Sequence, residues 1–155
     1  MDAFTTCLWF DTEGEDAAKF YADVFPNSSV GKVTPYAVGE RAGQTMTVDF
    51  VLNGIKFLAL NGGPEFRFNE SISFQVPCKD QAEVDRYWTA LTDSGGEESM
   101  CGWLKDRFGV SWQIVPTGLE ELISSEDSEK AQRVTQALFQ MKKIVIADLE
   151  AAAAG

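Results

Sequence analysis

Residues 58–76, LALNGGPEFRFNESISFQV, contain the break on which the architecture depends. An apolar run ends at Asn61-Gly62-Gly63-Pro64, and a second run, in which apolar and polar residues alternate, begins at Ser71. A Gly- and Pro-containing break between two strand-like runs is typical of a connection between modules rather than of a tight hairpin. The chain before this break and the chain after it carry two versions of one pattern.

The first half of the chain predicts the element order β-α-β-β-β. The alternating segment 4–10 indicates a strand, and Thr12 with Glu15 has the capping-box spacing that begins a helix. The apolar positions of that helix recur at i, i+3, i+4 and i+7, at Ala18, Tyr21, Ala22 and Phe25. Three more strands are predicted at 30–38, 45–52 and 55–60, and Asn53-Gly54 is a strong hairpin signal between the last two.

The second half predicts the same order. Segment 71–76 alternates as a strand does, and Asp80 with Glu83 has the spacing of an N-cap followed by an acidic residue. The apolar spacing of the first helix is repeated at Val84, Tyr87, Trp88 and Leu91. Three short strands are predicted at 97–100, 103–106 and 111–115.

The two halves can be superimposed by sequence position. An offset of 66 carries Tyr21 onto Tyr87 and Phe10 onto Val76, whereas an offset of 55 carries Phe57 onto Trp112. Several such matches in register favour a duplication. We therefore predict an α+β fold with tandem βαβββ modules at 1–62 and 63–116, whose curved sheets line a shared cavity. A helical extension, 117–155, covers its own subunit or crosses to a partner, and a homodimer is preferred.

The composition excludes several partners. The net charge is −11 without a basic stripe, so no nucleic acid is expected. No apolar run approaches the ~20 residues that span a bilayer, and no signal pattern is present, so no membrane partner is expected. Three cysteines without a CxxC pair suit the reducing cytoplasm. The chain has no histidine, which removes the commonest zinc ligand and the commonest general base.

Four segments carry a resemblance to a known family: 7–28, 58–88, 95–116 and 141–152, of which the NGGP and CGWLKDRFG motifs are the most specific. The chain resembles the vicinal oxygen chelate (glyoxalase/bleomycin-resistance) superfamily and, within it, the PhnB-like branch described as 3-demethylubiquinone-9 3-methyltransferase. The resemblance implies a concave sheet around a small-molecule ligand, and commonly a homodimer.

The resemblance also implies where metal ligands would lie, because metal-dependent members take four ligands from the first and last strands of each module. The corresponding positions here are Thr5, Leu58, Ser71 and Gln113. Leucine cannot bind a metal, and hydroxyl and amide groups alone are poor ligands, so no metal is expected. A methyltransferase of the Rossmann type would need a glycine-rich turn between a strand and a helix, which the chain lacks, so no other cofactor is expected.

The candidate ligand-binding residues lie on the strand faces opposite the bulky residues, or in the break. These faces are exposed to solvent or line a polar cavity, and the resemblance favours the cavity. The candidates are Thr5, Cys7, Trp9, Leu58, Leu60, Phe66, Phe68, Ser71, Ser73, Gln75, Trp103 and Gln113.

Two residues are candidates for catalysis. Glu65 lies beside aromatic residues and is the best candidate for a general acid or base, but it is also consistent with a surface carboxylate paired with Arg67 or Lys105. Cys101 is either a reactive thiol or a buried, inert one. Asp106 is interpreted as a turn and surface residue.

Two functions from different classes remain open. The first is a metal-independent enzyme that converts a small hydrophobic or aromatic molecule. The second is a module that sequesters such a molecule without turnover. A methyltransferase, as the branch name suggests, is a third reading that no sequence motif supports.

Overall fold

A computed structural model describes residues 4–155. The chain divides into two compact units, one ending at Phe68 and the other extending from Asn69 to Gly155. Each unit contains one four-stranded sheet with a helix, so the predicted α+β fold with two βαβββ patterns is confirmed. The finer module boundaries at 62/63 and 116/117 stay predictions.

The first unit has its parallel strand pair at one edge of the sheet. Its strand order is β1-β4-β3-β2, in which β1 and β4 are parallel and the other neighbours are antiparallel. The parallel register places the last residues of both strands, Phe10 and Asn61, opposite each other. The elements are β1 Thr6–Phe10, α1 Gly14–Val24, β2 Ser29–Pro35, β3 Thr45–Leu52 and β4 Ile55–Asn61.

The second unit repeats this topology and adds three helices. Its strand order is β5-β8-β7-β6, again with a parallel pair, β5 and β8, at one edge. The elements are β5 Ser73–Cys78, α2 Gln81–Thr92, β6 Glu97–Glu98, β7 Trp103–Lys105, β8 Ser111–Pro116, α3 Leu119–Ile123, α4 Ser128–Leu138 and α5 Ile146–Ala154.

The strand registers refine the relation between the two halves. Phe57 lies opposite Thr6, and its counterpart Trp112 lies opposite Phe74. Thr6 therefore corresponds to Phe74, an offset of 68 rather than the predicted 66. Since side chains alternate with a period of two, this difference leaves the predicted faces of the strands unchanged.

Each helix packs on one face of its sheet, as the apolar spacing predicts. In the first unit Tyr21 is fully buried and stacks on Phe50, with ring centroids 6.3 Å apart, and Phe50 stacks on Phe57 at 5.3 Å. In the second unit the buried face of α2 consists of Val84, Tyr87, Trp88 and Leu91. Burial of these aromatic and aliphatic side chains is the main stabilising contribution in both cores.

The two helix starts differ in how they are capped. The prediction that Thr12 and Glu15 form a capping box is wrong: α1 begins at Gly14, and the side chain of its N-cap residue, Glu13, makes no capping hydrogen bond. The Gly14 N–H instead donates to Asn61 Oδ1 at 2.8 Å, because strand β4 ends beside this helix. The predicted cap of α2 is confirmed, since Asp80 accepts from the Glu83 N–H at 2.9 Å.

The C-terminal helices pack within the second unit around one apolar cluster. Its buried members are Leu119, Val134, Leu138, Ile144 and Leu149. The backbone carbonyls of Met141 and Lys142 accept hydrogen bonds from the N–H groups of Cys101 and Gly102. The side chain of Gln81 donates to Ile144 O and accepts from the Ile146 N–H. The extension thus covers its own chain. None of the helices in the described residues has the length and apolar character needed to cross a membrane.

Candidate functional site

The first unit leaves one face of its sheet uncovered by α1, and the part of this face that Trp9, Leu58 and Leu60 form on β1 and β4 is apolar. The register pairs Cys7 with Leu58 and Trp9 with Leu60 across the parallel strands β1 and β4. Residues paired in this way point to the same side of a sheet. The structure therefore brings four of the predicted ligand-binding residues together, and three of them, Trp9, Leu58 and Leu60, are half-buried.

The break after β4 holds the indole of Trp9 in place. Trp9 Nε1 donates to the Gly63 carbonyl at 2.8 Å, and the ring contacts Phe66 edge-on, with centroids 5.0 Å apart. A methyl group at Gly62 would lie 2.2 Å from the indole, so only glycine allows this approach. Gly63 has φ +103°, which also favours glycine. Phe68 makes a different contact, edge-on to Phe10 at 5.1 Å.

The second unit presents a polar counterpart on its uncovered face. The register aligns Gln75 of β5, Gln113 of β8 and Trp103 of β7. Gln75 Nε2 donates to Gln113 Oε1 at 3.2 Å, and Gln113 Nε2 donates to Ser73 Oγ at 2.8 Å. We call Ser73, Gln75 and Gln113 the amide row. It offers both donors and acceptors at a sheet surface.

A charged pair lies beside the amide row. Lys105 forms an ion pair with Glu70, and this hydrogen bond raises the pKa of Lys105 and lowers the pKa of Glu70. A cavity of about 130 Å³ adjoins the pair. It is lined by Glu70, Glu97, Glu98, Ser99, Trp103, Leu104, Lys105 and Ser111.

Two predicted site residues lie outside the strands. Thr5 precedes β1 and Ser71 precedes β5, and both are exposed. The Ser71 hydroxyl donates to Asn69 Oδ1 at 2.5 Å, within its own turn. The structure thus places these two hydroxyls before the strands rather than on their faces.

The candidate acid Glu65 lies on the surface of the break, one residue before Phe66, and is exposed. The ion pair considered for it with Lys105 is not formed, since Lys105 pairs with Glu70. Through Phe66, the Glu65 backbone adjoins the apolar face that carries Trp9.

Cys101 is positioned by a backbone hydrogen bond and by packing against the C-terminal apolar cluster. Its φ is +58°, its N–H donates to Met141 O at 2.7 Å, and its side chain packs against the C-terminal cluster. Cys78 is fully buried, and burial raises the pKa of its thiol to about 11. Burial of Cys78 therefore favours its thiol over the thiolate.

Sequence reasoning missed the role of Asp106. The interpretation as a surface residue is wrong, because Asp106 is only 2% exposed. Its Oδ1 accepts from the N–H groups of Phe108 and Val110, and its Oδ2 accepts from Trp112 Nε1 at 2.8 Å. The turn itself was predictable, since Asp commonly bonds the backbone two residues on. The indole partner follows only from the pairing of β7 with β8.

The positions at which the resemblance implies metal ligands do not fit a divalent ion. Leu58 has no donor atom, Thr5 and Ser71 lie outside the strands, and the Gln113 amide is bonded to Ser73 and Gln75. Such an ion prefers carboxylate or imidazole ligands. Within residues 4–155, no three His, Cys, Asp or Glu side chains are grouped to hold a metal ion.

Two four-stranded sheets, ordered β1-β4-β3-β2 and β5-β8-β7-β6 and each with a helix on one face, define the chain as a vicinal oxygen chelate-fold protein of the glyoxalase/bleomycin-resistance type. It belongs to the family described as 3-demethylubiquinone-9 3-methyltransferase, the PhnB-like family, whose model matches residues 2–115.

Solved structures share this fold. The PhnB protein from Bacillus cereus is 28% identical, with a TM-score of 0.68, over 75% of this chain and 100% of that one. PA1353 from Pseudomonas aeruginosa is 19% identical, with a TM-score of 0.62, over 75% and 98%. The fosfomycin resistance protein FosX from Listeria monocytogenes is 17% identical, with a TM-score of 0.52, over 77% and 94%, and shares the fold. No curated protein matches the chain.

Proposed function

We propose that this protein binds a small molecule that has an apolar, preferably aromatic, part and a hydrogen-bonding group. The amide row is the observation that carries the proposal. Gln75, Gln113 and Ser73 bond one another at the sheet surface. A ligand can exchange these bonds for its own at little net cost, because the amides stay satisfied in either state.

The first unit has an apolar surface of its own that suits the ring of such a molecule. Trp9 presents a ring surface whose N–H donates to the Gly63 carbonyl and whose ring meets Phe66 in an edge-to-face contact. Leu58 and Leu60 continue that surface on β4. Such ring and aliphatic surfaces are common in small-molecule sites, and within the second unit Trp103, paired with Gln113, supplies a ring beside the amide row.

Homodimer formation and a cytoplasmic location are part of the proposal. The dimer is supported by the family resemblance. The cytoplasm is supported by three free thiols, Cys7, Cys78 and Cys101, which suit a reducing compartment.

Conversion of the bound molecule is a second candidate function, with Glu65 as the proton donor or acceptor. It is supported by the position of Glu65 one residue before Phe66, which contacts Trp9. Cys101, which packs against the C-terminal apolar cluster, is the alternative catalytic group. Loss of turnover with retained binding in Glu65→Gln would support catalysis by this carboxyl.

Methyl transfer, which the family description names, has no support from the fold. The doubly wound parallel sheet that binds nucleotide-type cofactors joins a strand to a helix through a glycine-rich turn. Here the sheets are four-stranded and mixed, and the turn from β1 to α1 is Asp11-Thr12-Glu13.

The test begins with native mass spectrometry of the protein as purified, followed by titration with benzamide, which combines a ring with an amide. We expect a dimer whose intrinsic tryptophan fluorescence changes saturably with benzamide. Gln113→Leu should weaken this binding at least about tenfold, the effect of losing one to two buried hydrogen bonds. The matched control is Gln140→Leu, which changes an exposed glutamine two residues after α4. Equal binding by wild type and Gln113→Leu would remove the amide row from the site.

A further inference from the structure

A second cavity lies in the first unit, at the end of strand β4. Its volume is about 140 Å³, more than a single water molecule needs. One side is formed by Asn61 and Thr45, and the loop between β2 and β3 contributes Tyr36, Arg41 and Gln44. The remaining lining residues are Asp11 and Thr12, which follow β1.

Asn61 lines this cavity, and its polar atoms are hydrogen-bonded to neighbouring residues. Its Oδ1 accepts from the Gly14 N–H, and its Nδ2 donates to Thr45 O at 3.1 Å. Its carbonyl accepts from the Tyr36 hydroxyl at 2.6 Å. The loop is thereby tied to the strand end, and the first N–H of α1 is already occupied by Asn61.

Arg41 is the group whose binding capacity is not used. Its guanidinium has five N–H donors, of which one, on Nη1, makes a long contact of 3.4 Å with Asn61 O. The group lies 5.9 Å from the centroid of the Tyr36 ring. In the part of the chain that the structure describes, Arg41 makes no ion pair, although acidic residues greatly outnumber basic ones.

The guanidinium of Arg41 lies close to the backbone of Gly63. A methyl group at Gly63 would lie 2.6 Å from Arg41 Nη2, so the guanidinium rests directly on this backbone. The planar fork of a guanidinium matches the two oxygens of a planar oxyanion, which suits it for bidentate contact. The hydroxyl of Thr12 and the amide of Gln44 lie on the same cavity and can add hydrogen bonds.

We propose that this cavity is a binding site for a small monocarboxylate, held by Arg41 and by hydroxyl and amide groups of the lining. The Asp11 carboxylate on the same cavity disfavours a dianion such as phosphate. None of its lining residues belongs to the amide row, and none is Trp9, Leu58 or Leu60. It does not rest on the proposed function.

The test is a titration of the full chain with sodium acetate at constant ionic strength and pH 7, followed by NMR of the tryptophan indole N–H signals. Arg41 contacts Gly63, and Trp9 Nε1 donates to Gly63 O, so binding should shift the Trp9 signal. Trp88 Nε1 donates to Glu98 in the other unit and serves as an internal reference. We expect saturation with a dissociation constant on the order of millimolar, as befits so small a ligand.

Three variants make the result specific. Arg41→Gln should abolish saturable binding, and Arg41→Lys should weaken it at least about tenfold, because lysine cannot form the bidentate pair. Arg67→Gln, which removes an exposed positive charge from the same unit, should bind as wild type does. Because Arg41→Lys keeps the charge, it decides the question if Arg41→Gln does not fold.

Four outcomes would overturn the proposal: a linear, non-saturating shift; equal binding by Arg41→Lys; an equal shift with chloride; or tighter binding of phosphate than of acetate. Failure of benzamide to bind would leave this proposal unaffected, since benzamide carries no anionic group. The two proposals therefore fail independently.

Discussion

The backbone of Gly62 lies against the indole of Trp9 so closely that a methyl group there would be 2.2 Å from Cζ2 and 2.3 Å from Cε2 of the ring. The next residue, Gly63, accepts the indole N–H. Gly62 and Gly63, which lie in the break between the two strand-like runs, thus also have a packing role. They fix the ring that dominates the uncovered face of the first unit.

Gly62→Ala should destabilise the first unit by about 1–3 kcal/mol, the usual cost of overpacking a filled site. It should also shift the fluorescence of Trp9, because the ring must move. Urea denaturation and tryptophan emission measure both effects. In a Trp9→Leu background the alanine should cost at least about 1 kcal/mol less. Equal costs in the two backgrounds would show that the indole is not the obstacle.

Asn61→Ala should destabilise the protein by about 2–3 kcal/mol, because it leaves the Gly14 N–H and the Thr45 carbonyl without their partner. Amide hydrogen exchange in the first turn of α1 should accelerate. Asn69→Ala, which alters an exposed asparagine, is the control and should have little effect on α1. Unchanged exchange at Gly14 in Asn61→Ala would contradict the capping role.

Asp106→Asn should cost about 2–3 kcal/mol although it is nearly isosteric. The amide cannot accept on both sides, so either the Trp112 indole or the N–H groups of Phe108 and Val110 would face a second donor. Urea denaturation measures the cost. Asp93→Asn, at the exposed end of α2, should stay within about 0.5 kcal/mol of wild type.

Stability should fall at alkaline pH partly because of Cys78. Its pKa is about 11 in the folded chain because of burial, against 9.0 for an ordinary thiol. Between these values the unfolded thiol is ionised and the folded one is not, so unfolding releases a proton and rising pH favours it. The contribution is complete below about pH 9 and is lost towards pH 11, at no more than about 1.4 kcal/mol per pH unit.

Denaturation at pH 8 and at pH 10.5 tests this, with Cys78→Ala expected to have a shallower loss of stability than wild type. Val84→Ala, which truncates a buried side chain of α2 without removing a thiol, is the control and should keep the wild-type slope. Equal slopes in wild type and Cys78→Ala would contradict the assignment.

Local features of the fold were predictable from the sequence. The Asn53-Gly54 hairpin forms as its residue types require, with φ of 46° and 81°. The apolar spacing of Val84, Tyr87 and Trp88 identified the buried face of α2. Each feature depends on residues a few positions apart, and the folded chain keeps their local turn and helix preferences.

Features that depend on long-range pairing were missed. The cap of α1 comes from Asn61, 47 residues away, and no spacing rule links the two. The Thr12–Glu15 spacing predicted a local cap for α1, but Asn61 at the end of β4 bonds the first N–H of the helix instead. The burial of Asp106 likewise requires β7 and β8 to be paired.

In the candidate site, too, the features that depend on nearby residues were predictable and those that depend on long-range contacts were not. Alternation correctly placed Gln75 and Gln113 on one face, because that inference needs only a period of two. The cavity around Arg41 was not foreseen, since it requires a loop to fold back onto the end of β4.

The family match ends at residue 115, but the apolar cluster of the C-terminal helices packs on residues inside the matched region, among them Cys101 and Val115. A recombinant fragment cut at the end of the matched region would lack Ile144 and Leu149 and would expose these residues. It would also remove the carbonyls of Met141 and Lys142 that pair with the Cys101-Gly102 backbone. A fragment chosen from the family match alone would therefore omit helices that the second unit needs in order to bury its apolar residues.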